Sequence, residues 1–178
     1  EKKYSGQFVS SALSLSKDNS SAAIIGGGDG GVARECISKG FDLIDWYELD
    51  PEVVKVCYKY LTKTSGQVRE NNSIKCYWGD AFESIKHVKD SKYDKIFVDL
   101  NDDQYCIDLA AKNMKSIKRI LKPGGVITAQ VGCQSKKPKQ VDSWVKVLTQ
   151  NFGNSKLDEV FIPSFDCRWN FASSIMKS

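Results

Sequence analysis

The sequence predicts an α/β fold: a doubly wound, mostly parallel sheet of seven strands that closes with an antiparallel hairpin. Three observations predict it. Short apolar runs rich in β-branched and aromatic residues alternate five times with segments of helical period. The first of these runs empties into a glycine-rich loop, "IIGGGDGG" (24–31), with a helical segment directly behind it. The last two apolar runs follow one another with no helix between them, which predicts a hairpin.

Each element has its own signal. "AAII" (22–25) is a short buried strand, and "GVARECISKG" (31–40) a helix that stops at Gly40. "LIDWYEL" (43–49) is the second strand. Asp50-Pro51 opens a helix, Asp as cap and Pro in the first turn, and Val53, Val54, Cys57 and Leu61 recur at helical spacing along it. "TKTSGQVRENN" (62–72) is polar and loop-like. "SIKCYW" (73–78) is the third strand, "AFESIKHV" (81–88) a short helix, and "YDKIFVDL" (93–100) the fourth strand. A long helix over 105–121 ends at the turn "KPGG" (122–125), and "VITAQV" (126–131) is the fifth strand. A helix over 138–151 precedes the final strands, "LDEVFI" (157–162) and "RWNFASSIM" (168–176).

The chain has 178 residues, enough for one domain with its own core, and shows no internal boundary, repeat or low-complexity tract. It opens on Glu1, so a fragment or processed product is expected, with residues 1–21 the remnant of an upstream segment. No apolar run is long enough to span a bilayer, so no membrane partner is expected. Six scattered cysteines form no CxxC pair, and His87 is the single histidine, so no metal site is expected. Thiols of this kind fit a reducing, cytoplasmic setting. The net charge of +4 is spread along the chain, its one cluster being "KKPK" (136–139). That is too thin for a nucleic-acid footprint and reads as a solvated loop.

In a doubly wound sheet the ligand lies beyond the carboxyl ends of the strands, so the glycine loop faces it. Gly26, Gly28 and Gly31 fit GxGxxG, and Glu48 follows Gly28 by 20 residues at the end of the second strand, where a carboxylate can bind a ribose diol. A nucleoside cofactor is expected. Asp29 narrows the choice, because a carboxylate inside the loop repels a pyrophosphate and welcomes an ammonium group. Decarboxylated S-adenosylmethionine, which keeps its amine and lacks its acid, fits better than the ordinary form. Asp80 after the third strand can accept from an adenine amino group or cap the helix beginning at Ala81; spacing leaves both open. Asp99 ends the fourth strand and Asp102 and Asp103 follow, making an acidic rim on a mildly basic protein. Asp103 reads as a turn acid and Asp94 lies at the opposite edge.

With these pieces together the chain resembles the aminopropyltransferases, the spermidine and spermine synthase family. "IGGGDGGVARE" (25–35) is similar to that family's cofactor motif, and "YELDPEVVKVCYKYL" (47–61), "KCYWGDAFE" (75–83), "YDKIFVDLNDD" (93–103), "LKPGGVITAQ" (121–130) and "IPSFDCRWNFASS" (162–174) follow in the family's order. "KTSGQV" and "VDL" lean to the spermine synthase branch. The resemblance implies a methyltransferase-type Rossmann-like sheet and transfer of an aminopropyl group from decarboxylated S-adenosylmethionine to putrescine or spermidine, without a metal. It implies that Gly26, Gly27, Gly28, Asp29, Gly31, Glu48, Leu49, Asp80 and Ala81 bind the nucleoside. Asp99 would be the acid that deprotonates the attacking amine, and Asp102, Phe165 and Gln7 would join it in binding the polyamine. Gln7 stands for a Tyr-Gln pair that the family carries ahead of its first strand. The family's small N-terminal β-domain is missing from the sequence, and a homodimer is implied for the full-length protein. The loop "NDDQYC" (101–106) departs from the family's Ser-Asp-Pro pattern, and Phe165 replaces a tyrosine. Two other readings remain: a small-molecule methyltransferase on the same sheet, and a catalytically degenerate binding or regulatory domain. A dinucleotide oxidoreductase is opposed by Asp29.

Overall fold

A computed structural model describes residues 1–177. Seven strands form one sheet in the order β3-β2-β1-β4-β5-β7-β6. They are β1 (Ser21–Gly26), β2 (Leu43–Glu48), β3 (Ile74–Trp78), β4 (Tyr93–Asp99), β5 (Leu121–Cys133), β6 (Lys156–Ile162) and β7 (Cys167–Ile175). β1 to β5 pair in parallel; β7 is antiparallel to both β5 and β6. After β1 the chain leaves to one side to build β2 and β3, then returns to β1's other flank as β4. The crevice at the carboxyl ends of β1 and β4 is therefore the switch point of the sheet. The expected fold class, with its terminal hairpin, is the one observed.

The helices are α1 (Lys2–Leu15), α2 (Gly31–Ser38), α3 (Pro51–Tyr60), α4 (Thr62–Ser65), α5 (Ala81–Ser84), α6 (Gln104–Ile120) and α7 (Pro138–Phe152). One face of the sheet packs through Ile96, Val98 and Ile127 against α6 and α7, which contribute Met114, Ile117, Trp144 and Leu148. The other face packs through Ile24, Trp46 and Phe97 against α1 and α2, by way of Phe8, Val9, Val32 and Cys36. Alternate residues along β1 and β4 serve opposite faces, as pleating requires, and the strands read as unbroken apolar runs because both faces are covered.

Residues 1–21, for which no element was expected, contain a helix, α1, whose Tyr4, Phe8 and Ala12 recur every fourth residue and turn to the sheet. Four expectations change. The inward face of α3 is Val54 with half-buried Cys57 and Tyr58, whereas Val53 and Leu61 are exposed, because this edge helix touches the sheet along a narrow line. The polar segment 62–72 includes the single turn α4. "KPGG" lies inside β5: Leu121 pairs with Tyr93, the register shifts, and Val126 pairs with Lys95. Gly124 and Gly125 also exchange backbone bonds with Met176, so the turn is held as sheet. The hairpin tip between β6 and β7 is a 3₁₀ turn over Pro163–Phe165.

All six cysteines are free and His87 is exposed on a 3₁₀ turn. Among the described residues no helix is long and apolar enough to cross a membrane.

The Phe8 ring fixes α1 to the sheet. It is fully buried, stacked on Phe171 at 4.9 Å and edge-on to Phe97 at 5.6 Å. Phe8→Ala is expected to lower stability by about 3–5 kcal/mol in urea unfolding, since a large cavity opens between helix and strand. A loss under about 1 kcal/mol would mean that α1 is not integral to the core.

Candidate active site

At the switch point lies a cavity of about 780 Å³. Its floor is the glycine loop. Gly26 pairs with Asp99 in the β1–β4 register, and Gly27 N donates to Asp99 O at 3.0 Å. At Gly27, where φ is +69°, a Cβ would lie 2.8 Å from Asp99 Oδ2; at Gly28 it would lie 2.9 Å from Val53 Cγ1 and 3.1 Å from Glu48 Oε2. Side chains at either position would push the two carboxylates out of the cavity, so the glycines bring Asp99 and Glu48 up to a shared ligand space. Trp46 Nε1 supports the loop from below by donating to Gly26 O at 2.7 Å, and Ser65 Oγ donates to Asp29 O at 2.6 Å.

Asp29 Oδ1 accepts from Gly31 N at 2.8 Å. The carboxylate thus occupies an amide at the N-terminus of α2 that a phosphate would otherwise use. Burial, then the charge of Glu1, raises the Asp29 pKa against the pull of the Gly31 hydrogen bond and Arg34. Burial pushes the Asp99 carboxyl further, to about 7, with Asp29, Glu1 and Glu48 adding to the rise and the Tyr4 hydrogen bond opposing it. Five carboxylates line the cavity (Glu1, Asp29, Glu48, Asp99 and Asp102) and no lysine or arginine does. Arg34 pairs with Glu1 at 2.6 Å and Lys137 with Asp102 at 3.1 Å; among the described residues Asp29, Glu48 and Asp99 have no ion-pair partner. A cavity so charged on a protein of net charge +4 attracts cations.

Tyr4 was not foreseen. Its hydroxyl donates to Asp99 Oδ1 at 2.5 Å, leaving Oδ2 toward Gly27. Burial and the neighbouring Asp99 hold the Tyr4 phenol well above its ordinary pKa, so it remains a donor. Tyr4 also joins Phe165 and Trp169 in an aromatic wall, with ring centroids 6.1 and 6.4 Å from its own, and Phe165 and Trp169 are 4.5 Å apart. Aromatic faces beside carboxylates suit an alkylammonium chain. Gln130 on β5 completes this end: it donates to Leu100 O and accepts from Trp169 Nε1 at 3.1 Å. Glu1 is held by Arg34 and by Ser5, whose Oγ donates to it at 2.5 Å and accepts from Arg34 Nη2 at 3.0 Å. The four-residue spacing of α1's apolar positions, continued back from Phe8 to Tyr4, was the sequence signal available for this end of the site.

The remaining expected residues are distributed as follows. Gly26, Gly27, Gly28, Asp29, Glu48, Leu49, Asp99, Asp102 and Phe165 line the cavity. Gly31 stands at the first turn of α2 just behind the lining, close to Glu1. Asp80 caps α5, accepting from Phe82 N at 2.8 Å and Glu83 N at 3.4 Å, and with Ala81 it lies outside the lining, beside the end of β2. Gln7 points along α1, its amide donating to Ser11 Oγ at 3.3 Å, and does not reach the cavity; Tyr4 is the α1 side chain that does. Asp103 caps α6 through Cys106 N at 2.8 Å, and Asp94 is tied to Ser21 and Lys122 at the opposite edge. Among the described residues no group of His, Cys, Asp and Glu is arranged to hold a metal ion.

The spermine/spermidine synthase domain model matches residues 1–178. A polyamine aminopropyltransferase of Prochlorococcus marinus (strain MIT 9215) is 33% identical over 184 aligned residues, covering 98% of this chain and 64% of the relative. The protein of that name from strain NATL1A is also 33% identical, covering 97% of this chain and 62% of its own. The chain therefore spans somewhat less than two thirds of these relatives. Among solved structures, the spermidine synthase from Thermotoga maritima superposes with a TM-score of 0.87 at 20% identity, over 98% of this chain and 60% of that one. A spermidine synthase in complex with the transition-state analogue AdoDATO gives 0.88 at 20% identity, over 98% and 61%.

Proposed function

The chain belongs to the spermine/spermidine synthase domain family, and from that premise we propose that it transfers the aminopropyl group of decarboxylated S-adenosylmethionine to a primary amine of putrescine or spermidine. The observation that carries the reading is the cavity itself: five carboxylates, no basic lining residue, and an aromatic wall at one end. Its two reactants are both cations.

The donor fits the glycine-loop side. Glu48 binds the ribose hydroxyls beside Gly28, Gly26 and Gly27 give backbone access, and Leu49 covers the nucleoside. The free oxygen of Asp29 takes the donor's ammonium group. Asp80 and Ala81 stand at the adenine end, where Asp80 already serves as a helix cap. The acceptor fits between Asp99, Asp102 and the wall of Tyr4, Phe165 and Trp169.

A polyamine amine has a pKa near 10 and arrives protonated. Asp99 accepts that proton, and Tyr4 holds the carboxylate with one oxygen turned to the cavity. The freed nitrogen lone pair forms a bond to the carbon beside the sulfonium as the carbon–sulfur bond breaks and its electron pair stays on sulfur. Methylthioadenosine and the lengthened polyamine are the products. Sulfur is a good leaving group, so the protein's part is to desolvate, orient and deprotonate. "KTSGQV" lies under the glycine loop, with Ser65 on Asp29 O, and does not line the cavity. The lean toward spermidine as acceptor therefore rests on its resemblance to the spermine synthase branch.

Full-length protein incubated with decarboxylated S-adenosylmethionine and each polyamine is expected to yield methylthioadenosine and a product heavier by one aminopropyl group in mass spectrometry. A product heavier by one methyl group, made from ordinary S-adenosylmethionine, would make it a methyltransferase. No product with any polyamine would make it a degenerate binding domain.

A further inference from the structure

Resting on that reading, the geometry points to Lys137 as an internal competitor of the acceptor, a built-in ammonium that sets how tightly the polyamine is held. The sequence suggested that "KKPK" is a solvated loop, but its first two lysines reach the acceptor end of the cavity. Lys137 Nζ lies 3.1 Å from Asp102 Oδ2, and Lys136 Nζ donates to Phe165 O at 2.8 Å. Asp102 and Phe165 both line the cavity. One short turn therefore straps the acid and the aromatic residue on which the acceptor depends.

The turn is held in place. Lys136 N and Lys137 N both donate to Cys133 O, at 3.1 and 2.7 Å, and Pro138 begins α7 directly after. Asp102 is enclosed from below, since a Cβ on Gly132 would stand 3.1 Å from its Oδ2. Lys137 also sits at the N-cap of a 15-residue helix, where the helix dipole disfavours a cation. Pairing with Asp102 offsets that cost, so the ammonium is placed there against the helix's own preference.

The chemistry is that of a substrate mimic. A lysine side chain is an ammonium on a four-carbon stem, and putrescine is a four-carbon stem with an ammonium at each end. The second ammonium of an acceptor whose first amine lies at Asp99 must take Asp102 from Lys137. The pair is open enough for exchange, with side chains 45% and 23% exposed for Lys137 and Asp102. Exposed ion pairs of this kind are weak, so Lys137 lowers acceptor affinity without closing the site. The nucleoside side of the cavity is out of its reach and is unaffected.

The test compares full-length wild type, Lys137→Gln and Lys137→Arg. Spermidine and putrescine are titrated by calorimetry with methylthioadenosine present, and the acceptor KM is measured alongside. Lys137→Gln is expected to bind the acceptor about three- to tenfold more tightly and to lower KM by the same factor. Lys137→Arg, which keeps a competing cation, stays within about twofold of wild type. Affinity for methylthioadenosine is the same in all three. If Lys137→Gln binds the polyamine equally or more weakly while wild type still transfers aminopropyl groups, the competitor role is wrong and the proposed activity stands. If neither wild type nor variant binds a polyamine, the aminopropyltransferase reading falls, and this inference with it.

Discussion

Replacing Asp99 by Asn is expected to reduce turnover by about 10²–10⁴-fold while leaving methylthioadenosine affinity within a few-fold of wild type. Asn keeps the shape and can still accept from Tyr4, so the variant removes the proposed proton acceptor with little else. The pH behaviour identifies the role. Burial and the surrounding acids raise the Asp99 pKa from 3.8 to about 7, so the free protein carries the useful carboxylate only above neutrality. The wild-type kcat/KM for the acceptor should therefore rise with pH through about 7 and level off above it, whereas the residual rate of Asp99→Asn lacks that step. Stability moves the other way. The folded state binds the Asp99 proton more tightly than the unfolded chain does, so the wild type loses stability as pH rises from about 4 to 7. Asn escapes that loss. Asp99 is half-buried, with one side open to the cavity, so above pH 7 the variant should exceed wild type by about 1–3 kcal/mol, and by nothing near pH 4. A variant of unchanged turnover, or one that loses nucleoside binding and keeps its chemistry, would reverse the assignment.

The second large effect is expected at Asp29. Its carboxylate sits at the start of α2 with one oxygen on Gly31 N, and burial, with the charge of Glu1 adding to it, raises its pKa. A ligand carboxylate brought to about 5 Å from Asp29 and its neighbours meets a repulsion of about 3 kcal/mol at an effective dielectric constant near 20. That is about a hundredfold in affinity. Asp29→Asn should weaken decarboxylated S-adenosylmethionine by about 10–100-fold and cost the ordinary form far less, because it removes only an attraction from the first but both an attraction and an offsetting repulsion from the second. The hydrogen bond to Gly31 N survives in Asn, so the start of α2 keeps its partner and a loss of binding is not a loss of fold.

The strands, the glycine loop and the acids at strand ends were legible because each is written locally. An apolar run, then glycine, then helical period places a loop at the ligand edge, and a carboxylate closing a run lands there too. Gly26, Gly27, Gly28, Asp29, Glu48 and Asp99 were reached this way and lie together around the cavity. The acceptor end was less legible. Tyr4 is 95 residues from Asp99 and bears no glycine or acid beside it, so only the face of α1 against the sheet brings it in. Gln130 lies in the apolar run of β5 and was counted as strand interior. Its polar end becomes visible only when the loop after β4 and strand β7 supply Leu100 and Trp169 as partners. "KKPK" has the composition of a solvated loop, and its use depends on Asp102, 35 residues earlier. "KPGG" reads as a turn because glycine and proline do; the bonds of Gly124 and Gly125 to Met176, with the flanking Leu121 and Val126 paired to β4, override that local preference.

Central to the proposed activity is an acidic cavity that selects a doubly cationic nucleoside. Calorimetric titration of the wild-type protein with decarboxylated and with ordinary S-adenosylmethionine, under the same buffer and salt, tests this most directly. The decarboxylated form should bind at least tenfold, and about a hundredfold, more tightly. Equal affinity for the two, or tighter binding of the form that keeps its carboxylate, would contradict it.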